Sequence, residues 1–161
     1  MWTTIPQYYM IIKGNLMSND VQSLTPQEAW DMLQQNPKAI LIDVRSSMEF
    51  LFVGHPKGAI HIPWIEAPDW KINSNFAAEV RKVLLGGMVH DEEISKGLDS
   101  VPVLLICRSG RRSLEAGRLL LREEFTDVYN IPEGFEGTLD SDHHRSSVNG
   151  WRFHGLPWEQ C

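Results

Sequence analysis

The sequence predicts an α/β fold in which a mainly parallel sheet is covered by helices on both faces. Three observations carry this expectation. The apolar runs at 39–44 (AILIDV) and 101–106 (VPVLLI) are short and nearly unbroken, as in strands buried on both faces. Helix-start signals follow such runs closely. Strands and helices then alternate along the chain, which is the pattern of crossover-connected parallel strands. With 161 residues and 42% hydrophobic content, one core needs no disulfide to close it.

The first helix opens at Thr25-Pro26-Gln27-Glu28, where Thr25 can cap, Pro26 suits the first helical position and Glu28 can reach back; it is expected to end near Gln35. The strand Ala39 to Val44 comes next. Ser46 to Glu49 repeats the capping pattern and predicts a short helix ended by Gly54. After the turn at 54–58, Ala59 to Ile62 is a second strand closed by Pro63. Phe76, Val80, Val83 and Leu84 share one face of a helix expected over Asn75 to Leu85, with Gly86-Gly87 as its stop. Residues 88–100 read as a polar loop or irregular helix. The strand Val101 to Ile106 leads into a helix from Arg112 to about Glu123, and Phe125 to Ile131 is a fourth strand. In the Gly-rich tail from Pro132 to Cys161, Phe135, Trp151, Phe153 and Trp158 are expected to close the core.

A net charge of −6 and a pI near 5.5 argue against nucleic acid or an anionic membrane as partner, since both require a basic face. Two cysteines, Cys107 and Cys161, make no disulfide framework, and a reducing, cytoplasmic setting is expected. The apolar stretch Trp2 to Met17 lacks the basic start of a secretory signal, because Lys13 falls late in it; residues 1–20 are expected to be a poorly ordered lead-in to one domain over 21–161.

Cys107 carries the chemistry. It ends a buried-type strand, and Arg108, Ser109, Gly110, Arg111 and Arg112 lead from it into a helix. Ligands of open parallel sheets bind beyond the carboxyl ends of strands. Amides of such a turn, with a helix N-terminus behind them, converge as an anion hole. Three arginines within five positions reverse the acidic balance of the chain locally. An ordinary cysteine thiol is only about 3% ionised at pH 7, and these features favour the charged, nucleophilic form.

The loop Cys107-Arg108-Ser109-Gly110-Arg111-Arg112-Ser113 resembles the active-site loop of the rhodanese family. Asp43-Val44-Arg45 with Glu49-Phe50 is similar to that family's first signature, residues 54–63 (GHPKGAIHIP) to its second, and Gly134-Phe135-Glu136-Gly137 to its closing motif. The resemblance spans about residues 22–137 and implies a three-layer rhodanese-like fold, with the Trp- and Gly-rich tail as a C-terminal extension.

It also implies transfer of sulfane sulfur from a donor such as thiosulfate to cyanide, a thiol or a partner protein's cysteine, through a persulfide on Cys107. On that reading Arg108, Ser109, Gly110, Arg111, Arg112 and Ser113 bind the donor, Asp43 and Arg45 support the loop, and no metal or organic cofactor is needed. Ordinary ion pairing is the competing account of Asp43 and Arg45.

Three rivals are weaker. A phosphatase with a similar loop keeps five residues between Cys and Arg; here Arg112 follows four and Ser113 holds the fifth-spaced position, so the loop suits one sulfur atom better than a tetrahedral oxyanion. A non-enzymatic binding module would not need Cys107. A metal site at Asp140, Asp142, His143 and His144 lacks a helical His pair or Cys partner and reads as a polar loop. His55 and His61 lie in the family-like segments, and His90 and His154 carry no signal. Cys161 reads as an incidental exposed thiol, whereas Cys107 is expected to be an accessible target of oxidation.

Overall fold

The computed structural model describes residues 20–88 and 101–161. The expectations for the lead-in, and for most of the loop at 88–100 with His90, lie outside the described residues. Five strands form one parallel sheet: β1 (Gln22–Ser23), β2 (Ile40–Asp43), β4 (Ile60–His61), β7 (Val103–Ile106) and β8 (Val128–Asn130), in the spatial order β1-β8-β7-β2-β4. Central β7 is buried at every position, which is why its sequence is an apolar run rather than an alternation.

Alternate residues of these strands point to opposite layers. Ile42, Val44, Val103, Leu105 and Cys107 pack with Phe76, Ala77, Val80 and Leu84 of α2 (Phe76–Met88) and Ala116 and Leu120 of α3 (Arg111–Arg122). Leu41, Leu104 and Ile106 pack against α1 (Pro26–Gln35) and the C-terminal segment, through Ala29, Phe135 and Trp151. The predicted three-layer α/β architecture is therefore the observed one.

The cap of α1 forms as its sequence dictates: Glu28 N–H donates to Thr25 Oγ1 at 3.2 Å and Thr25 N–H to Glu28 Oε2 at 2.8 Å. The Ser46–Glu49 signal opens a wider turn, a π-helix over Glu49–Val53. α2 continues through Gly86-Gly87 to Met88, against the expected stop. Its earlier turns are anchored by fully buried Phe76 and Val80, and that packing outweighs roughly 1 kcal/mol of helix propensity lost per glycine. The fourth strand is shorter than its apolar run; Phe125 is instead buried in the turn before it.

The tail belongs to the core only in part. Trp151 is fully buried, meets Trp30 edge-on at 6.0 Å and donates Nε1–H to Pro157 O at 2.9 Å. Phe153 and Trp158, expected inside, are 46% and 40% exposed. Trp158 lies in β9 (Trp158–Glu159), which pairs antiparallel with β3 (His55–Pro56) and lays its ring against Gly54, where a side chain would strike it. A second pairing absent from the sequence reading joins β5 (Ile65–Glu66) to β6 (Lys71–Ile72). Among the described residues no helix is long and apolar enough to cross a membrane.

Candidate active site

Cys107 follows β7 directly and leads into the loop before α3. Its Sγ accepts hydrogen bonds from Gly110 N–H at 3.1 Å and from the Ser113 hydroxyl at 3.2 Å. Where several loop amides were expected to converge, one amide, Gly110 N–H, and one hydroxyl, Ser113, reach the sulfur among the described residues. The residue is 1% exposed, which corrects the expectation of an accessible thiol: Sγ lies on the floor of the loop.

A second segment, 130–136, backs this loop and sets its shape. Phe135 N–H donates to Cys107 O at 2.8 Å and Glu136 N–H to Arg108 O at 3.0 Å. Gly110, at φ +90°, caps α3 so close to Pro132 that a Cβ would sit 2.2 Å from its carbonyl oxygen. Only glycine fits there, on both backbone conformation and space. Gly134, at φ +69°, approaches Arg108 as closely. Asn130, 3% exposed at the end of β8, accepts from Ser113 Oγ at 2.6 Å and donates Nδ2–H to Gly110 O at 3.3 Å.

The three arginines part ways. Arg112 makes two parallel 2.8 Å bonds to Glu49 of the π-helix. Burial pushes the Glu49 carboxyl up, but the Arg112 bonds and charge, with the Ser46 N–H and hydroxyl, hold it down at about 2. Arg112 in turn is raised by Glu49, with a smaller contribution from Cys107. Arg111 is 90% exposed and only loosely paired, 3.8 Å from Glu115. Arg108 is exposed, and no hydrogen bond or ion pair holds its side chain among the described residues. Ser109 is half-buried.

Asp43 and Arg45 pair with each other, Nη2 to Oδ2 at 2.6 Å, with both side chains wholly buried. Arg45 also donates to Gly54 O at 2.6 Å and lies 4.4 Å over the Phe135 ring. Among the described residues neither side chain hydrogen-bonds to the Cys107 loop, and the pair joins β2 to the Gly54 turn. His55 and His61 flank the Phe50 ring in a stack, held through Phe50 O and Arg45 O. The Asp140 carboxylate binds the amides of Asp142 and His144 and the Ser147 hydroxyl, as a turn. Cys161 is exposed.

Sequence reasoning missed Asn130 and the pairing of Glu49 with Arg112. A polar residue between Tyr129 and Ile131 of the predicted strand was the one signal for Asn130; nothing local signals a pair 63 residues apart.

A model of the rhodanese-like domain matches residues 25–140. The chain belongs to the rhodanese-like family. This rhodanese-like chain is 31% identical to the thiosulfate sulfurtransferase GlpE of Haemophilus influenzae over 72% of its own length and 86% of that protein's. It superposes on the crystal structure of Rv0390 from M. tuberculosis with a TM-score of 0.71 and 36% identity, covering 88% of this chain and 99% of that one. The polysulfide-sulfur transferase homodimer of Wolinella succinogenes follows at a TM-score of 0.52 and 26% identity, covering 88% of this chain and 80% of that one.

Proposed function

We propose that this rhodanese-like chain is a sulfurtransferase that carries sulfane sulfur as a persulfide on Cys107, with thiosulfate or a similar anion as donor. The observation that carries the reading is the buried Sγ at the carboxyl end of β7, held by Gly110 N–H and the Ser113 hydroxyl at the head of α3. Donors aimed at a sulfur favour its charged form, and a fixed sulfur is a better nucleophile. The similarity to a thiosulfate sulfurtransferase supports the choice of donor.

The Cys107 thiolate attacks the outer sulfur of thiosulfate. A Cys107–S bond forms, the donor's S–S bond breaks, and sulfite leaves with the bonding pair. Cyanide or a thiolate then attacks the outer sulfur of the persulfide and leaves as thiocyanate or a new persulfide, which regenerates the Cys107 thiolate. No proton is consumed in the cycle with cyanide. Sγ at 1% exposure admits one narrow atom more readily than a phosphoryl group, which argues against phosphatase chemistry. Arg108, exposed, and Arg111, exposed and held only loosely by Glu115, suit the sulfonate end of the donor, while Arg112 is paired with Glu49.

A protein acceptor is favoured by one observation: Met48 and Phe52, 60% and 64% exposed, flank Glu49 in the turn that grips the loop's arginine. The deciding experiment is a thiosulfate-to-cyanide assay with intact-mass detection of one added sulfur, on the native chain and on Cys107→Ser. Turnover and sulfur uptake that both vanish in the variant are the expected result. Uptake without turnover selects the protein acceptor, and no uptake from thiosulfate or from other persulfide donors would sink the proposal.

A further inference from the structure

We infer that Asn130 is the positioning residue of the sulfur site, one side chain that sets both hydrogen-bond donors to Cys107 Sγ. The inference rests on the proposed role of Cys107 as nucleophile. Each of the two donors to the sulfur is bonded separately to this amide: Gly110 through its carbonyl at 3.3 Å, Ser113 through its hydroxyl at 2.6 Å. The amide's orientation follows from the network. Gly110 O can only accept, so Nδ2 must face it, and Oδ1 is left for Ser113.

Asn130 touches no reacting atom, but it stands on a rigid base. It ends β8 in register with Leu105 of β7 on one side and with Ser23 of β1 on the other, and the next amide, Ile131 N–H, donates to Leu105 O. Leu105 lies in β7, two residues before Cys107, which follows that strand directly. The sheet therefore fixes Asn130 relative to the sulfur, and Asn130 passes that position on to the two donors.

Ser113 has one hydroxyl proton and two acceptors, Oδ1 at 2.6 Å and Sγ at 3.2 Å. While the sulfur holds its own proton, the nearer Oδ1 takes the hydroxyl's. When negative charge develops on the sulfur, the charged acceptor is the stronger one and the hydroxyl turns to it, giving up its bond to Oδ1, so Asn130 serves the charged sulfur by holding the Ser113 side chain in the rotamer from which that turn is possible. Without Asn130 the Ser113 hydroxyl is free to adopt other rotamers, and the peptide after Gly110 loses its anchor, which loosens the Gly110 N–H through the shared Cα, so both donors reach the sulfur less often.

The test is the pH–rate profile of iodoacetamide alkylation at Cys107, followed by peptide mass so that Cys161 is counted apart. Asn130→Ala is expected to move the midpoint up by about one pH unit, slowing alkylation about tenfold below it, with the high-pH plateau unchanged. Ser113→Ala moves it the same way by less, and the double variant goes no further than Asn130→Ala. Asn130→Ser, whose shorter polar side chain stops short of both partners, is expected to shift the midpoint the same way and serves if the alanine variant does not fold. An unmoved midpoint in either folded Asn130 variant overturns the inference. So does equal slowing at every pH with a lowered Tm, which marks a packing role alone. No sulfur donor is used, so failure of the transferase reading would show in the assay above and leave this profile unaffected.

Discussion

Two arginine–carboxylate pairs lie around the candidate site and differ in almost everything but their chemistry. Asp43 and Arg45 are two residues apart, at the end of β2 and just beyond it, and have no exposed side-chain surface. Glu49 and Arg112 are 63 residues apart, tie the π-helix to α3 beside Cys107 and keep 22% and 24% of their side chains in solvent. The buried pair is architecture: water cannot replace a lost partner, so each charge depends on the other. The rim pair is adjustable, because solvent and protons reach it. Burial, and not the presence of a salt bridge, separates a fold determinant from a group able to tune the sulfur.

The largest test of that contrast removes one buried partner. Arg45→Met leaves the Asp43 carboxylate unpaired inside the core and is expected to cost about 3–5 kcal/mol, read by urea denaturation at neutral pH; a loss of about 2 kcal/mol or less would put the pair in the same class as the rim pair. Acid should single out the rim pair next. Glu49 is depressed from its ordinary 4.5 to about 2, so its contribution is fully present above pH 4.5 and is lost as pH falls toward 2. Its size is at most about 3 kcal/mol, less whatever solvent screening removes, and Glu49→Gln should abolish that part of the acid sensitivity.

At neutral pH the same Glu49→Gln change should cost about 1–2 kcal/mol of stability. Because it leaves the Arg112 charge uncompensated beside Cys107, it should move the midpoint of Cys107 alkylation down, opposite to Asn130→Ala. The smallest effect on stability belongs to Arg111→Ala, within about 0.5 kcal/mol by thermal denaturation. Its mark should be kinetic: a several-fold higher KM for thiosulfate at low salt, a difference that shrinks as ionic strength rises.

Much of this was legible before any coordinates. The capping box of α1 involves residues three apart, and the apolar runs of β2 and β7 report burial on both faces wherever they lie in space. Cys107 stood out because its loop combined a strand end, a glycine and a helix start within six residues. The failures share a cause. Gly86-Gly87 did not stop α2, because turns upstream were anchored on the sheet. Trp158 was expected inside, yet β9 pairs with β3 at the surface and half-covers it. Nor did the sequence reading foresee that Arg112 pairs with Glu49; that contact depends on how the π-helix meets α3.

What the sequence determined by itself is therefore what neighbours along the chain can settle: caps, buried-type strands and the strand-to-helix loop that begins at Cys107. Tertiary structure alone decided which charges are satisfied, that Cys107 sits on a floor with 1% exposure, and that Asn130 reaches both of its donors. The physical reason is range. Propensity and capping act over one helical turn, whereas hydrogen bonds and ion pairs depend on distances of a few ångströms between elements, and those distances are set only when the layers pack.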